Sequence, residues 1–121
     1  DSLHPQEHER GHVLISQGAQ DRKLYFLESG NLKVDVTTDK GLVQLAILGA
    51  GTVVGEGSFF SHLPRNASVV AYSNCKLWTM SPEDFEALSK KHPTVALSLA
   101  MALGAIVATR MVDVSRRIAS T

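Results

Sequence analysis

From His12 to Met80, short apolar runs alternate with clusters of Gly, Asn, Asp and Ser, a rhythm that predicts the strands of a β-barrel or jelly roll. Residues 12–16 form the first predicted strand, closed by Gln17-Gly18. Residues 23–28 and 32–37 follow as a predicted hairpin around Ser29-Gly30-Asn31, with Gly30 supplying a positive φ. In its second arm Leu32, Val34 and Val36 alternate with Lys33, Asp35 and Thr37, which predicts one buried face. Asp39-Lys40-Gly41 makes the next turn, residues 42–48 another strand, and residues 67–72 and 76–80 the closing pair. Residues 1–10 are polar and read as the remnant of a helix.

After Met80 the apolar period lengthens to that of a helix. Ser81 is an N-cap, Pro82 suits the first helical position, and Glu83 and Asp84 meet the positive end of the helix dipole. The predicted helix spans about 82–91, with Phe85 and Leu88 on its apolar face and Lys90 and Lys91 at its C-terminus. Pro93 opens a longer helix to about residue 118, and its first half, Val95 to Ala108, is apolar nearly all round. That stretch falls short of the roughly twenty residues of a bilayer span, so direct membrane insertion is not expected. Ala96, Ala100, Gly104 and Ala108, four apart, would admit the close approach of a second helix, which predicts a homodimer through residues 93–118. Arg110, Arg116 and Arg117 restore polarity at its end. The fold class is therefore mainly β with a C-terminal helix pair. One domain over 1–121 is expected, its β-roll at about 11–80, as a fragment of a larger protein.

Composition narrows the function. Twelve basic residues balance twelve acidic ones, so no global field grips DNA or an anionic membrane. The single cysteine, Cys75, excludes an internal disulfide framework and sits in a largely apolar run, where a buried inert thiol is expected. The first residues lack the pattern of a signal peptide, which predicts a cytoplasmic protein. His8-Glu9-Arg10-Gly11-His12 matches the metalloprotease pattern H-E-x-x-H, but Gly11 interrupts the helix that would put both rings on one face. A metal-dependent jelly-roll enzyme would need a His-x-His pair, and histidines 4, 8, 12, 62 and 92 make none. Catalytic residues, metal ligands and cofactors are therefore all expected to be none.

The chemistry concentrates in residues 54–71. Gly55 and Gly57 let the backbone turn and bring its N–H groups close to a ligand. Ser58 to Ser61 can make one helical turn whose free N–H groups face an anion. Arg65 adds a cationic fork suited to phosphate, and Glu56 is an acceptor for a sugar hydroxyl. One loop thus offers a phosphate site and a ribose site.

This stretch resembles the phosphate-binding cassette of the cyclic-nucleotide-binding domain family, of form F-G-E-L-A-L-(four residues)-P-R-x-A-T-V-x-A. Gly55, Glu56, Pro64, Arg65, Ala67, Val69 and Ala71 match it without a gap, and Ser68 replaces the usual Thr. Gly57, Ser58 and Asn66 depart from it. The glycines at 11, 18, 30, 51 and 55 also fall where the family places them, so the resemblance covers nearly the whole chain. It implies a regulatory module, not an enzyme. The ligand's cyclic phosphate would lie between Arg65 and the amides around Ser58, Asn66 and Ser68 would touch phosphate or base, and Glu56 would take the ribose 2′-hydroxyl. Relatives selective for cGMP carry threonine after the arginine; Asn66 stands there, and cAMP is the favoured ligand. In channel-type members an arginine of the long helix caps the base. Ile106 aligns there, and Arg110, one turn on, is the candidate cap. The family, which includes sensor domains of protein kinase A regulatory subunits, catabolite activators and cyclic-nucleotide-gated channels, implies an effector outside this chain. The run Gly51 to Glu56 is also similar to domains at the C-terminus of bacterial sulfate-permease-type proteins, which implies a tether to a membrane protein. No helix-turn-helix follows Thr121, so DNA binding by this chain alone is not expected. The alternative is a ligand-free interaction or dimerisation module of the same fold.

Overall fold

The alternating pattern folds into eight strands, which form two four-stranded sheets. The computed structural model describes the backbone of residues 2–120 and the side chains of residues 2–110. In chain order the strands are β1 (His4–His8), β2 (Val13–Ile15), β3 (Leu24–Ser29), β4 (Leu32–Thr38), β5 (Gly41–Leu48), β6 (Val53–Val54), β7 (Ser68–Ala71) and β8 (Cys75–Met80). A short helix, α1 (Glu56–Ser61), interrupts them, and α2 (Pro82–Lys91) and α3 (Pro93–Ser120) follow. The sheet orders are β1-β8-β3-β6 and β2-β7-β4-β5, antiparallel throughout. This is a jelly roll with C-terminal helices, and its inner faces meet in a core of Ile15, Tyr25, Leu27, Leu32, Val54, Val69, Ala71, Cys75 and Leu77. Cys75 is buried as expected, its thiol within hydrogen-bond distance of the Asn31 and Ser73 carbonyls. Leu32 is wholly buried, so Leu32→Ala is expected to lower stability by about 2–5 kcal/mol in urea unfolding.

Besides the added strand β6, three expectations about the strands change. Residues 4–8 are a strand, not a helix end: β1 pairs with β8 from His4↔Thr79 to His8↔Cys75, so the roll begins before residue 11. A polar edge strand carries no apolar alternation for a sequence pattern to detect. Second, β3 and β4 do not form a hairpin, because they belong to different sheets. Gly30 has the expected positive φ of 95°, but it carries the chain from one sheet to the other. A Cβ there would collide with the Asn74 carbonyl and lie 2.9 Å from Cys75 Sγ. Third, the polar face of β4 is not uniformly exposed. Asp35 is buried and holds Lys33 Nζ at 3.2 Å, while Val34 and Val36 are only half-buried. The β4–β5 register shifts between Val34 and Asp35, from Val34↔Ala46 to Asp35↔Gln44.

The turn at Asp39-Lys40-Gly41 does close a hairpin, between β4 and β5. His8 and His12 lie either side of another turn, their rings stacked 3.8 Å apart, so the H-E-x-x-H run is not helical.

By its contacts the chain divides into two compact units, Asp1–Asp84 and Phe85–Thr121. At the start of α2 the expected cap is reciprocal: the Asp84 N–H donates to Ser81 Oγ at 3.0 Å, and the Ser81 N–H donates to Asp84 Oδ2 at 2.9 Å. In α3, Ala96 and Leu103 are buried, whereas Val95, Leu97 and Met101 are exposed. The expected ridge of small residues is therefore not one face: Ala96 is buried and Gly104 and Ala108 are exposed. With 3.6 residues per turn, a line of residues four apart drifts about 40° at each step. The window Pro93–Arg110 is long and apolar enough to cross a membrane by length and composition alone, so the shortness argued from residues 95–108 does not hold. The side chains of Arg116 and Arg117 lie outside the described residues.

Candidate functional site

β6 delivers the chain to Gly55, whose φ of 91° lies in the left-handed region, and α1 begins at once with Glu56. Glu56 is thus the first residue of the helix rather than part of the loop before it. It is buried, 7% exposed, as are Ser58 and Phe59. Gly57 lies inside α1 with an ordinary φ, and a Cβ there would meet nothing, so the turn expected at both glycines belongs to Gly55 alone. His62, at φ 62°, ends the helix, its N–H donating to the Ser58 carbonyl at 3.3 Å.

The chain returns through Pro64, which is exposed, to Arg65, which is 4% exposed. The loop 16–23, between β2 and β3, receives it. The Arg65 N–H donates to the Ala19 carbonyl at 2.8 Å, and the Gly18 N–H donates to the Arg65 carbonyl at 2.7 Å. The guanidinium then uses four of its five N–H groups within the protein. Nε donates to Asp21 Oδ2 at 3.2 Å and Nη2 to Asp21 Oδ1 at 2.7 Å, a bidentate pair. Nη2 also donates to the Lys23 carbonyl at 2.7 Å, and Nη1 to the Gly55 carbonyl at 2.9 Å. The fork expected to face a phosphate is thus turned onto Asp21, and Nη1 carries the remaining N–H.

Asn66 is exposed, and Ala67 and Ser68 are half-buried; Ser68 Oγ accepts the Gln17 N–H at 2.9 Å. The cassette residues from Gly55 to Ser68 thus form one continuous structure. Arg110, the candidate base cap, is in the other unit; its side chain is half-buried, and loss of hydration lowers its pKa.

Sequence reasoning missed Asp21 and Arg22. They sit in the polar run Asp21-Arg22-Lys23, which carries no motif, and only the fold brings this run to the cassette. Arg22 Nη2 donates to the Phe59 carbonyl at 2.6 Å, and its Nε to the Ser58 carbonyl at 3.2 Å. Burial alone would raise the pKa of Asp21, but the hydrogen bonds and charge of Arg65, helped by Lys23, hold it below the ordinary 3.8. Because the folded value lies below the unfolded one, the stabilisation is complete above pH 3.8 and is lost as the pH falls through the lowered folded value. Asp21→Asn should therefore lower the melting temperature at pH 7 and flatten its fall below pH 3.8. Parallel acid limbs in the two proteins would contradict this.

The frame of the site is thus a jelly roll with a short helix between β6 and β7, burying Glu56 at the start of that helix and Arg65 in the loop after it. A solved cyclic nucleotide-binding domain from Methylobacillus flagellatus shares the fold with a TM-score of 0.89, at 24% identity, over 97% of this chain and 66% of that one. The chain belongs to the cyclic nucleotide-binding domain family, whose model matches residues 5–92. It is 35% identical over 102 residues to the cyclic AMP receptor protein of Thermus thermophilus, covering 84% of this chain and 45% of the relative. It is 34% identical over 89 residues to the cAMP-dependent protein kinase type II regulatory subunit of Drosophila melanogaster, covering 73% of this chain and 24% of the relative. The chain thus spans less than half the length of either relative.

Proposed function

We propose that this chain is a regulatory module that binds a cyclic nucleotide, cAMP in preference to cGMP, in the cassette formed by residues 54–71. Arg65 and the amides around Ser58 would hold the cyclic phosphate, with Asn66 and Ser68 beside it, and Glu56 would accept the ribose 2′-hydroxyl. The observation that carries this reading is that two buried charged groups, Glu56 at the start of α1 and Arg65 in the loop after it, are brought together at Gly55, whose carbonyl accepts from Arg65 Nη1. Family membership supports it, and two relatives named for cyclic AMP favour cAMP.

The same proposal places the effector outside this chain and makes α2 and α3 the part that responds. The exposed Leu97, Met101, Gly104, Ala105 and Ala108, at spacings of four, three, one and three, form an apolar stripe on which a second copy would pack. A cytoplasmic location, with a tether to a membrane protein, belongs to the same reading.

The test is calorimetric titration of the 121-residue chain with cAMP and with cGMP, followed by amide exchange across α2 and α3 on the same sample. Saturable binding with cAMP the tighter, and altered exchange in α3, is the expected result. Absence of binding to either nucleotide would leave the ligand-free interaction module as the better reading.

A further inference from the structure

α1 cannot support itself. It has six residues, far below the length at which a helix is stable alone, and its N-cap, Gly55, makes no side-chain bond. Its last turn contains no basic residue to meet the exposed carbonyls there. Phe59 anchors it from within, at 4% exposure. Arg22 braces it from outside, reaching from the 16–23 loop to the carbonyls of Ser58 and Phe59. The residue before it, Asp21, holds the guanidinium of Arg65. Two consecutive side chains therefore grip the two arms of the cassette, one at the helix and one at the arginine. The backbone pair between Arg65 and residues 18 and 19 fastens the same loop to the same arm.

We infer that Arg22 is a positioning residue of the nucleotide site: it holds α1, and with it Glu56, in register with Arg65. This rests on the reading that the cassette binds a cyclic nucleotide. Arg22 places both a charge and a planar fork on two adjacent carbonyls, which fixes the helix against the loop. Glu56 rides on the first residue of that helix, so releasing the carbonyls releases the carboxylate that would take the ribose hydroxyl. The consequence is specific. Loss of Arg22 blunts recognition of the sugar more than recognition of the phosphate, because the Arg65 arm keeps its own clasp.

The experiment compares wild type, Arg22→Ala and Arg22→Lys. Each is titrated with cAMP and with 2′-deoxy-cAMP, and amide exchange at residues 59–62 is read in the ligand-free proteins. In wild type cAMP should bind about tenfold tighter than its deoxy analogue, the worth of one hydrogen bond to a charged group. In Arg22→Ala the cAMP affinity should fall about tenfold while the ratio of the two ligands shrinks toward one, and exchange at residues 59–62 should quicken about tenfold. Arg22→Lys, which keeps the charge without the fork, should recover part of both. An alanine variant that keeps the wild-type ratio, or the wild-type exchange at residues 59–62, overturns the inference even if its overall stability has dropped. A wild type that binds neither nucleotide sinks the proposed function and the sugar role together, and the exchange arm then decides alone whether Arg22 holds α1.

Discussion

Arg65→Ala should weaken cAMP binding by roughly thirty- to a thousandfold, on the order of 2–4 kcal/mol, because it removes the one guanidinium buried in the cassette. The structure adds a second effect. The side chain also satisfies the carbonyls of Gly55 and Lys23 and neutralises Asp21, so its loss should lower stability as well, by about 2–3 kcal/mol. Asp21 is 40% exposed at its side chain and can rehydrate, which keeps that figure below the loss for a fully buried pair. Arg65→Lys separates the effects: an ammonium restores the charge but cannot span Asp21 and both carbonyls, so affinity should recover further than the melting temperature. Calorimetry and thermal melts on the two variants measure this. An Arg65→Ala protein that binds cAMP like wild type would remove the anion-binding role.

Gly55→Ala should be nearly as damaging, although it deletes nothing. A Cβ on Gly55 would stand 2.5 Å from the Lys23 carbonyl and 2.8 Å from Arg65 Nη1. The carbonyl is backbone and cannot yield, so the guanidinium or the whole loop must move. The left-handed φ of 91° adds about 1–2 kcal/mol of strain for alanine. A stability loss of about 2–4 kcal/mol is expected, with affinity at least thirtyfold weaker as Arg65 loses its bond to the Gly55 carbonyl. Gly57→Ala is the control: its Cβ meets nothing and its backbone is helical, so alanine should be neutral or stabilising by up to about 1 kcal/mol. Equal behaviour of the two substitutions in urea unfolding would contradict the geometry.

Much of this site was legible in the sequence because its determinants are local. Gly55, Glu56 and Arg65 lie within eleven positions, and each residue type has one chemistry that suits an anion or a sugar. The positive φ at Gly30 followed equally from residue type, since glycine alone adopts that conformation freely. The Ser81–Asp84 cap is local in the same sense. What could not be read was what Arg65 touches. Asp21 is 44 positions away, and a carboxylate in a polar run looks the same whether it faces water or a guanidinium.

The division follows sequence separation. By itself the chain determined its strand-and-turn rhythm, its two terminal helices and the place of the candidate cassette, because periodicity and turn chemistry act over a few residues. Only the tertiary structure decided that β3 and β4 part into different sheets and that residues 4–8 add a strand to β8. It alone turned the Arg65 fork onto Asp21 and brought Arg22 to the end of α1. These depend on which surfaces meet when the core closes, and burial of a polar group is settled by its partners across the fold, not by its neighbours along the chain.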